Sequence, residues 1–330
     1  MLFVVGSLAR TWRDCKLIMQ ALAAAAVMSL AISRIFASTA GTRLDLEFGT
    51  VANANDFAAH LLFVLPFLLW IALSSRSRVF RLMALLGISY GAYVVLASGS
   101  RGALVALTAD LLFFTFNADW RHRLALAILA PLVLLVVFIA LPHIVARRLM
   151  SFSTSSTDAP REALDSTQSR EQLLRDSIAC ALHHPIFGVG PSQFTFYEGT
   201  ISRPGTGTYW RAAHNSYMAA ASEAGIPALC FYIAAIWSSW RFLRRIRRRS
   251  RTDPEVSEIS NVVLCVMLAI LGFSTATFFL NFTYTFYLPT MGGLAIALNR
   301  ATEVSPNRCT EEGQNAPVAL YFAWNGSPPA

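Results

Sequence analysis

The sequence predicts an all-α polytopic membrane protein, a helical bundle with about eight transmembrane helices and one large outer loop containing short helices. Of its 330 residues, 55% are hydrophobic and only 14% are charged, whereas soluble domains carry about 25% charged residues. Apolar runs alternate with short turns that carry arginine. One segment, from Pro142 to His214, breaks this alternation because it is long and polar. So much apolar sequence indicates a bilayer as the solvent rather than one buried core.

Eight apolar runs have the composition of spanning helices, which need about 20 mostly apolar residues. The fourth run is short, and the last two can alternatively form one helical hairpin. Met1 to Ala9 is apolar but too short to span, so we interpret it as the stub of a helix. The predicted spans are 17–36, 57–73, 79–97, 102–117, 124–142, 216–238, 260–280 and 283–299.

These runs divide the chain into four regions. An amino-terminal bundle covers 1–142, the outer loop covers 143–213, and the carboxy-terminal membrane helices cover 214–299. The remaining tail, 300–330, is polar and ends in glycine, serine and proline, so we expect a disordered cytoplasmic extension.

Positive charge predicts the orientation of the bundle. The net charge is +8, and Lys16 is the only lysine. Basic clusters are retained on the cytoplasmic side of membrane proteins, and all of them share one side if both termini are cytoplasmic. Because the charge lies in short turns between apolar runs, we expect contact with membrane lipids and no nucleic-acid partner. The clusters are Arg10 to Lys16, Arg76 to Arg81, Arg121 to Arg123 and Arg241 to Arg251.

The cysteines and histidines do not predict a metal or a disulfide framework. The five cysteines are scattered without CxxC spacing. His183 and His184 are adjacent, so their side chains point apart on a helix. We therefore expect no metal site and no cofactor.

A helix is predicted in the outer loop. Ser169 to Gln172 matches a capping box, with Ser169 as the N-cap of a helix from Arg170 to about Leu182. The helix has an apolar stripe, so it either packs on the membrane-embedded part or lies in the interface. Arg170 at its first position forms an anion site together with the helix dipole, or is simply a solvated arginine.

Three further residues are candidates for chemistry. Arg101, in the turn Ser98 to Ala103 on the outer side, is either a ligand-binding residue or a snorkelling side chain. His214 precedes the sixth span; a neutral imidazole there can accept a proton, although a structural role is the alternative. Asp110, inside the fourth span, is a functional or simply a paired carboxylate.

Four segments in order resemble a known family. They are Asn53 to Ala58, Ser100 to Ala103, Arg170 with Pro185 to Gly190, and Ala213 to Asn215 with Glu223 to Ile226. They are similar to the NPN-F-A, SRGA, R…PLxGVG and HN…E-x-G motifs of the O-antigen ligase and O-antigen polymerase-like family of bacterial membrane glycosyltransferases. Ala54 stands where that family has proline, and members have more spanning helices. We therefore expect that part of the family's amino-terminal end is missing here.

The resemblance implies a function and a site. The donor would be an oligosaccharide on undecaprenyl pyrophosphate, and the acceptor a hydroxyl of lipid A core or of a growing glycan, at the periplasmic face of the inner membrane. Arg101 and Arg170 would hold the pyrophosphate, and His214 would activate the acceptor hydroxyl in a metal-independent, inverting transfer. Asn55, which alternatively caps the second span, would bind substrate, as would Asn215, Glu223, Gly188 and Gly190.

Several functional interpretations remain open from the sequence. The chain either ligates a finished polysaccharide to lipid A core or polymerises repeat units. A transporter or flippase of lipid-linked sugars is the alternative from another class, although it would favour two related halves and broken helices near the midplane. A membrane subunit without activity is the third interpretation.

Overall fold

The computed structural model describes residues 1–38, 44, 46, 53–128, 131, 141, 145, 146, 149, 161–200, 211–250 and 257–304. Its regular elements there are helices, and a further helical stretch covers 120–128. The labelled helices are α1 Leu2–Leu8, α2 Trp12–Phe36, α3 Ala54–Ser74, α4 Arg78–Ala97, α5 Arg101–Asn117, α6 Arg161–His183, α7 Phe194–Thr200, α8 Ser216–Ser250, α9 Ser257–Ala276 and α10 Tyr287–Val304.

The described helices match most of the predicted spans. Five of them, α2, α3, α4, α8 and α9, are long and apolar enough to cross a membrane. α5 covers the predicted span 102–117, whereas α10 only overlaps the predicted span 283–299, because it begins at Tyr287 and continues to Val304. The predicted stub at the amino terminus is the short helix α1. Most of the predicted span 124–142, the linker of the outer loop and nearly all of the tail lie outside the described residues.

α8 is longer than its apolar run. The predicted end at residue 238 is wrong, because the helix continues to Ser250 through the arginine-rich stretch. Arginine is a good helix former, so the apolar run ends before the helix does. α8 is broken at Gly225, which has φ 88° and ψ 169°, and Pro227 follows the break. Proline has no N–H to donate, so it is tolerated beside such a break.

Asn53 caps the start of α3. Its Oδ1 accepts hydrogen bonds from the backbone N–H groups of Asn55 at 2.9 Å and Asp56 at 3.1 Å. The interpretation of Asn55 as the N-cap is therefore wrong, because the asparagine two residues earlier takes that position.

Neighbouring helices run antiparallel. Along α3 and α4, Gly87 lies against Leu68, whereas Gly91 lies against Leu65. Along α5 and α9, Gly102 faces Phe279 just beyond the end of α9, and further down Asp110 faces Gly272. The chain therefore passes back and forth, and helix ends gather at two opposite ends of the bundle.

We call these two ends the loop end and the arginine end. The loop end is where α5 begins at Arg101 and α8 begins at Ser216. The arginine end is where the Arg247 guanidinium of α8 donates to the Asn117 carbonyl at the end of α5. Given the helix directions, the described basic clusters at 10–16, 76–81, 121–123 and 241–249 all fall at the arginine end. This agrees with the prediction that the clusters share one side.

The core lies between α3 and α9. These two helices are 72% and 78% buried over their spanning windows, whereas α2, α4 and α8 are 28% to 33% buried. Phe63, Phe273 and Tyr287 form an aromatic cluster between α3, α9 and α10, with ring centroids 4.6 to 5.6 Å apart. The outer helices thus keep broad apolar faces for lipid.

Candidate active site at the loop end

The start of α8 is fixed by the connection between α9 and α10. The Ser216 backbone N–H donates to the Thr277 carbonyl at 2.9 Å. The Ser216 hydroxyl donates to the Leu280 carbonyl at 2.7 Å and accepts from the Phe282 N–H at 2.8 Å. Thr283 donates its hydroxyl to the Ser216 carbonyl at 2.9 Å. These bonds hold the residues just before Ser216 in place.

Arg101 is positioned by the same connection. It is the first residue of α5, and the Ser100 hydroxyl caps the helix by accepting the Ala103 N–H at 3.3 Å. A Cβ on Gly102 would lie 2.7 to 2.8 Å from Phe279, so only glycine allows this close approach. α5 and α8 therefore begin beside one segment, and Arg101 is at the same end of the bundle as His214.

His214 directly precedes the cap of α8. Asn215 is the N-cap, since its Oδ1 accepts the N–H groups of Tyr217 at 2.9 Å and Met218 at 3.1 Å. Ser216 and Ala219 use their own N–H groups in backbone bonds. Because the first donors of α8 are already engaged, an anion bound here would depend on side chains.

Two guanidiniums act on His214. The residue is exposed at the surface of the loop end. Desolvation by the surrounding chain, followed by the charges of Arg170 and Arg211, lowers the pKa of its imidazole below the ordinary value. The lowered pKa favours the neutral imidazole, which can accept a proton.

Arg170 reaches this position from the middle of α6. The predicted N-cap at Ser169 is wrong, because the helix begins at Arg161 and already contains Ser169. Arg170 is therefore not at a helix start, so the predicted anion site that combines it with a helix dipole is wrong. Arg101 is the candidate residue that lies at the positive end of a helix dipole, at the start of α5. α6 is held by Leu173 and Cys180, which are buried in a cluster with Ala219 of α8. Burial and then the nearby Glu223 raise the pKa of Cys180 to about 11, which favours the protonated thiol over the nucleophilic thiolate.

Arg211 and Glu198 were missed by sequence reasoning. Arg211 Nη2 lies 3.2 Å from Oε1 of Glu198, whose side chain is fully buried in α7. The backbone N–H of Arg211 also donates to Oε2 of Glu198, at 3.5 Å. The only sequence signal was an arginine three residues before the candidate base.

The predicted loop motif, Pro185 to Gly190, packs against the break in α8 at Gly225. Gly190 N–H donates to the Glu223 carbonyl at 2.9 Å, and Ile226 N–H donates to the Pro185 carbonyl at 2.8 Å. Gly188 has φ 65°, and a Cβ there would overlap the Glu223 backbone. Gly225 has φ 88°, and a Cβ there would overlap the Ile186 carbonyl. Two motifs far apart in sequence, 185–190 and 223–226, are therefore held together by backbone contacts, and we call this pair of segments the joint.

The Glu223 carboxylate belongs to this joint. It is buried, and its Oε2 accepts the Ser192 N–H at 2.9 Å. Tyr284 lies beside it. Glu223, Gly188 and Gly190 thus shape the loop through contacts with one another and with Ser192. Asn215 has the capping role described above.

The remaining predicted residues, Asn55 and Asp110, lie at different depths of the bundle. Asn55, at the start of α3, is at the loop end, because His60 Nδ1 of the same helix lies 2.9 Å from the hydroxyl of Tyr287 at the start of α10. Asp110 lies in the middle of α5 against Gly272 and is not brought to the site. In the described part of the chain, no three His, Cys, Asp or Glu side chains lie close enough to hold a metal ion.

Comparison with known proteins identifies the domain that contains this arrangement. Residues 86–233 match the family described as O-antigen ligase. That segment contains Arg101, Arg170 and His214, and it ends within α8. No curated protein matches the chain. The segment of this chain at residues 86–233 is therefore similar to the O-antigen ligase family.

Proposed function

We propose that this protein transfers an undecaprenyl-pyrophosphate-linked saccharide to an acceptor hydroxyl at the periplasmic face of the inner membrane. The acceptor is lipid A core or another surface glycan, as in O-antigen ligation. One observation carries the proposal: α5, which begins at Arg101, and α8, which begins two residues after His214, start at the same end of the bundle, and Arg170 is close enough to lower the pKa of His214. A diphosphate and a hydroxyl can meet there.

The transfer is a single displacement with inversion at the anomeric carbon. The acceptor oxygen forms a bond to that carbon while the bond from the carbon to the diphosphate oxygen breaks. The acceptor proton passes to the His214 imidazole, and undecaprenyl diphosphate leaves with the bonding electron pair. Arg101 and Arg170 bind the diphosphate oxygens and stabilise the charge that develops on them.

The charges around His214 suit this role. A base must be neutral before it takes the proton, and the lowered pKa of His214 keeps it so. Once protonated, the imidazolium lies near two guanidiniums, and the negative diphosphate between them offsets that repulsion. The two arginines supply the positive charge for leaving-group departure, so we propose that the step needs no metal.

The orientation follows from the positive-inside rule. The arginine end carries the described basic clusters, and such clusters are retained in the cytoplasm. The loop end would then face the periplasm, with both termini in the cytoplasm. A lipid-linked donor would reach it from the outer leaflet.

A reconstituted transfer assay tests the proposed base. We expect His214→Ala in vesicles supplied with undecaprenyl-pyrophosphate saccharide and acceptor to lose transfer while expression and thermal unfolding stay unchanged. The matched control is His183→Ala, because His183 is also exposed at the loop end but lies at the end of α6. Full turnover by His214→Ala protein would remove the imidazole from the mechanism.

Polymerase activity is the second function of the same family, and a gel of surface glycans from deletion cells separates the two. Long unattached chains on the carrier indicate a lost ligase. Core capped by a single repeat unit indicates a lost polymerase. The first pattern is the expected result.

A further inference from the structure

α6 has a second apolar face that the protein leaves uncovered. One face, with Leu173 and Cys180, is buried against α8. Beside it runs a stripe at helical spacing that continues into the turn after α6, and all of its members are exposed. Leu182 is 68% exposed and Phe187 is 84% exposed. This outer stripe consists of Leu174, Ile178, Leu182, Ile186 and Phe187.

The outer stripe is continuous with the lipid-facing side of α8. The turn at its end is fixed on the break in α8, since Ile226 N–H donates to the Pro185 carbonyl and Gly225 lies against Ile186. Beyond the break, one face of α8 exposes Ile226, Ile233 and Trp237. The two exposed apolar surfaces therefore meet at Gly225.

The length of α8 places this meeting point at the edge of the hydrocarbon. About 20 helical residues cross the hydrocarbon core. Counting that number back from Arg241, the first arginine of α8, ends near Ala221, about one turn from Gly225. Ile186 and Phe187 are thus level with the boundary between acyl chains and headgroups.

We propose that the outer stripe inserts into the outer leaflet, so that α6 lies in the membrane interface with one face on α8 and the adjacent face in lipid. An interfacial helix buries its apolar face at the headgroup and acyl boundary in this way. Glu171 and Arg175, an exposed pair 2.6 Å apart, lie beside Leu174 at the end of the stripe that is farthest from Ile186 and Phe187, so the pair is placed among the headgroups and in water. Arg170 is then held at the level of lipid headgroups.

Nitroxide depth measurements test the insertion without any substrate. The full chain, with Cys230 and Cys309 replaced by alanine, is labelled at Ile178→Cys or Phe187→Cys and reconstituted in phosphatidylethanolamine and phosphatidylglycerol vesicles. The matched control is Ala179→Cys, next to Ile178 but on an exposed face outside the stripe. We expect collisions with oxygen to dominate at 178 and 187, and collisions with a water-soluble nickel complex to dominate at 179.

Two results would overturn the proposal. Water-like collisions at 178 and 187 would place the stripe in solvent, and labels shielded from both reagents would indicate a covering protein or a second copy of the chain. Photoactivatable acyl chains provide a check on the unsubstituted protein: cross-links are expected in 174–187 as well as in α8, and their confinement to spanning helices contradicts insertion. Neither readout depends on the transfer reaction, so failure here leaves the proposed function standing.

Discussion

Arg211 donates a hydrogen bond to Glu198 at 3.2 Å, and this buried carboxylate fixes a guanidinium three residues before His214. The pair joins α7 to the segment that leads into α8. Because Arg211 acts on His214, this pair also affects when the proposed base is protonated.

We predict that Arg211→Gln moves the acid limb of the pH profile to higher pH. The base works only when neutral, so activity falls as the pH drops through its pKa. Arg211 lowers that pKa; removing the cation lets the pKa rise towards its ordinary value, and the uncompensated Glu198 charge acts in the same direction. The measurement is kcat/KM against pH. Arg211→Lys keeps the charge and should keep the wild-type limb; an unshifted limb in Arg211→Gln would contradict the proposed coupling.

Arg170→Lys should lose most of the transfer activity. A lysine keeps the charge but lacks the planar fork that binds two phosphate oxygens. Arg101→Ala and Arg170→Ala should lower kcat/KM by about 10² to 10³, as expected when a group that stabilises developing charge is removed. Arg175→Lys is the control, because Arg175 is exposed on the same helix and pairs with Glu171. Equal activity of Arg170→Lys and Arg175→Lys would show that Arg170 does not bind the diphosphate.

Gly225→Ala and Gly188→Ala should destabilise the protein. Each position has positive φ and lies against backbone atoms of the other segment of the joint. The backbone strain alone costs about 1 to 3 kcal/mol, and the overlap adds to it. The control is Gly87→Ala in α4, where a Cβ would meet only the flexible Leu68 and Leu30 side chains. Thermal unfolding in detergent measures the difference; a similar Tm for all three variants would contradict the backbone contact.

Ser216→Ala should lower stability and also disturb the site. The substitution leaves the Phe282 N–H and the Leu280 carbonyl without their partner in a buried position, which costs about 1 to 3 kcal/mol. Ser238→Ala is the comparison, because that exposed hydroxyl bonds only to the Ala235 carbonyl of its own helix. The expected order of Tm is wild type, then Ser238→Ala close to it, then Ser216→Ala. A lower Tm for Ser238→Ala than for Ser216→Ala would contradict a stabilising role for the hydrogen bonds of the Ser216 hydroxyl.

Much of the helical architecture was predictable, because apolar runs in a membrane protein report spanning helices directly. Helix ends were less predictable. The capping-box pattern at Ser169 is a local signal of four residues, and it also occurs inside a helix, as α6 shows. The end of α8 was missed because arginine continues a helix as readily as it ends an apolar run.

The candidate site was predictable in part. Motif order led to Arg101, Arg170 and His214, and the fold brings all three to the loop end. The pair of Arg211 and Glu198 was not predictable, because two residues 13 apart were joined only by the fold. The place of Gly188 against Glu223 was likewise invisible, since it depends on backbone contact between segments that are distant in the chain.

The joint between Gly188 and the Gly225 break is built from main-chain atoms. Its shape therefore depends on the two glycines, and among side chains on the Glu223 carboxylate. An engineer who wishes to alter acceptor preference is free to redesign the rim around His214, but must leave these two positions as they are.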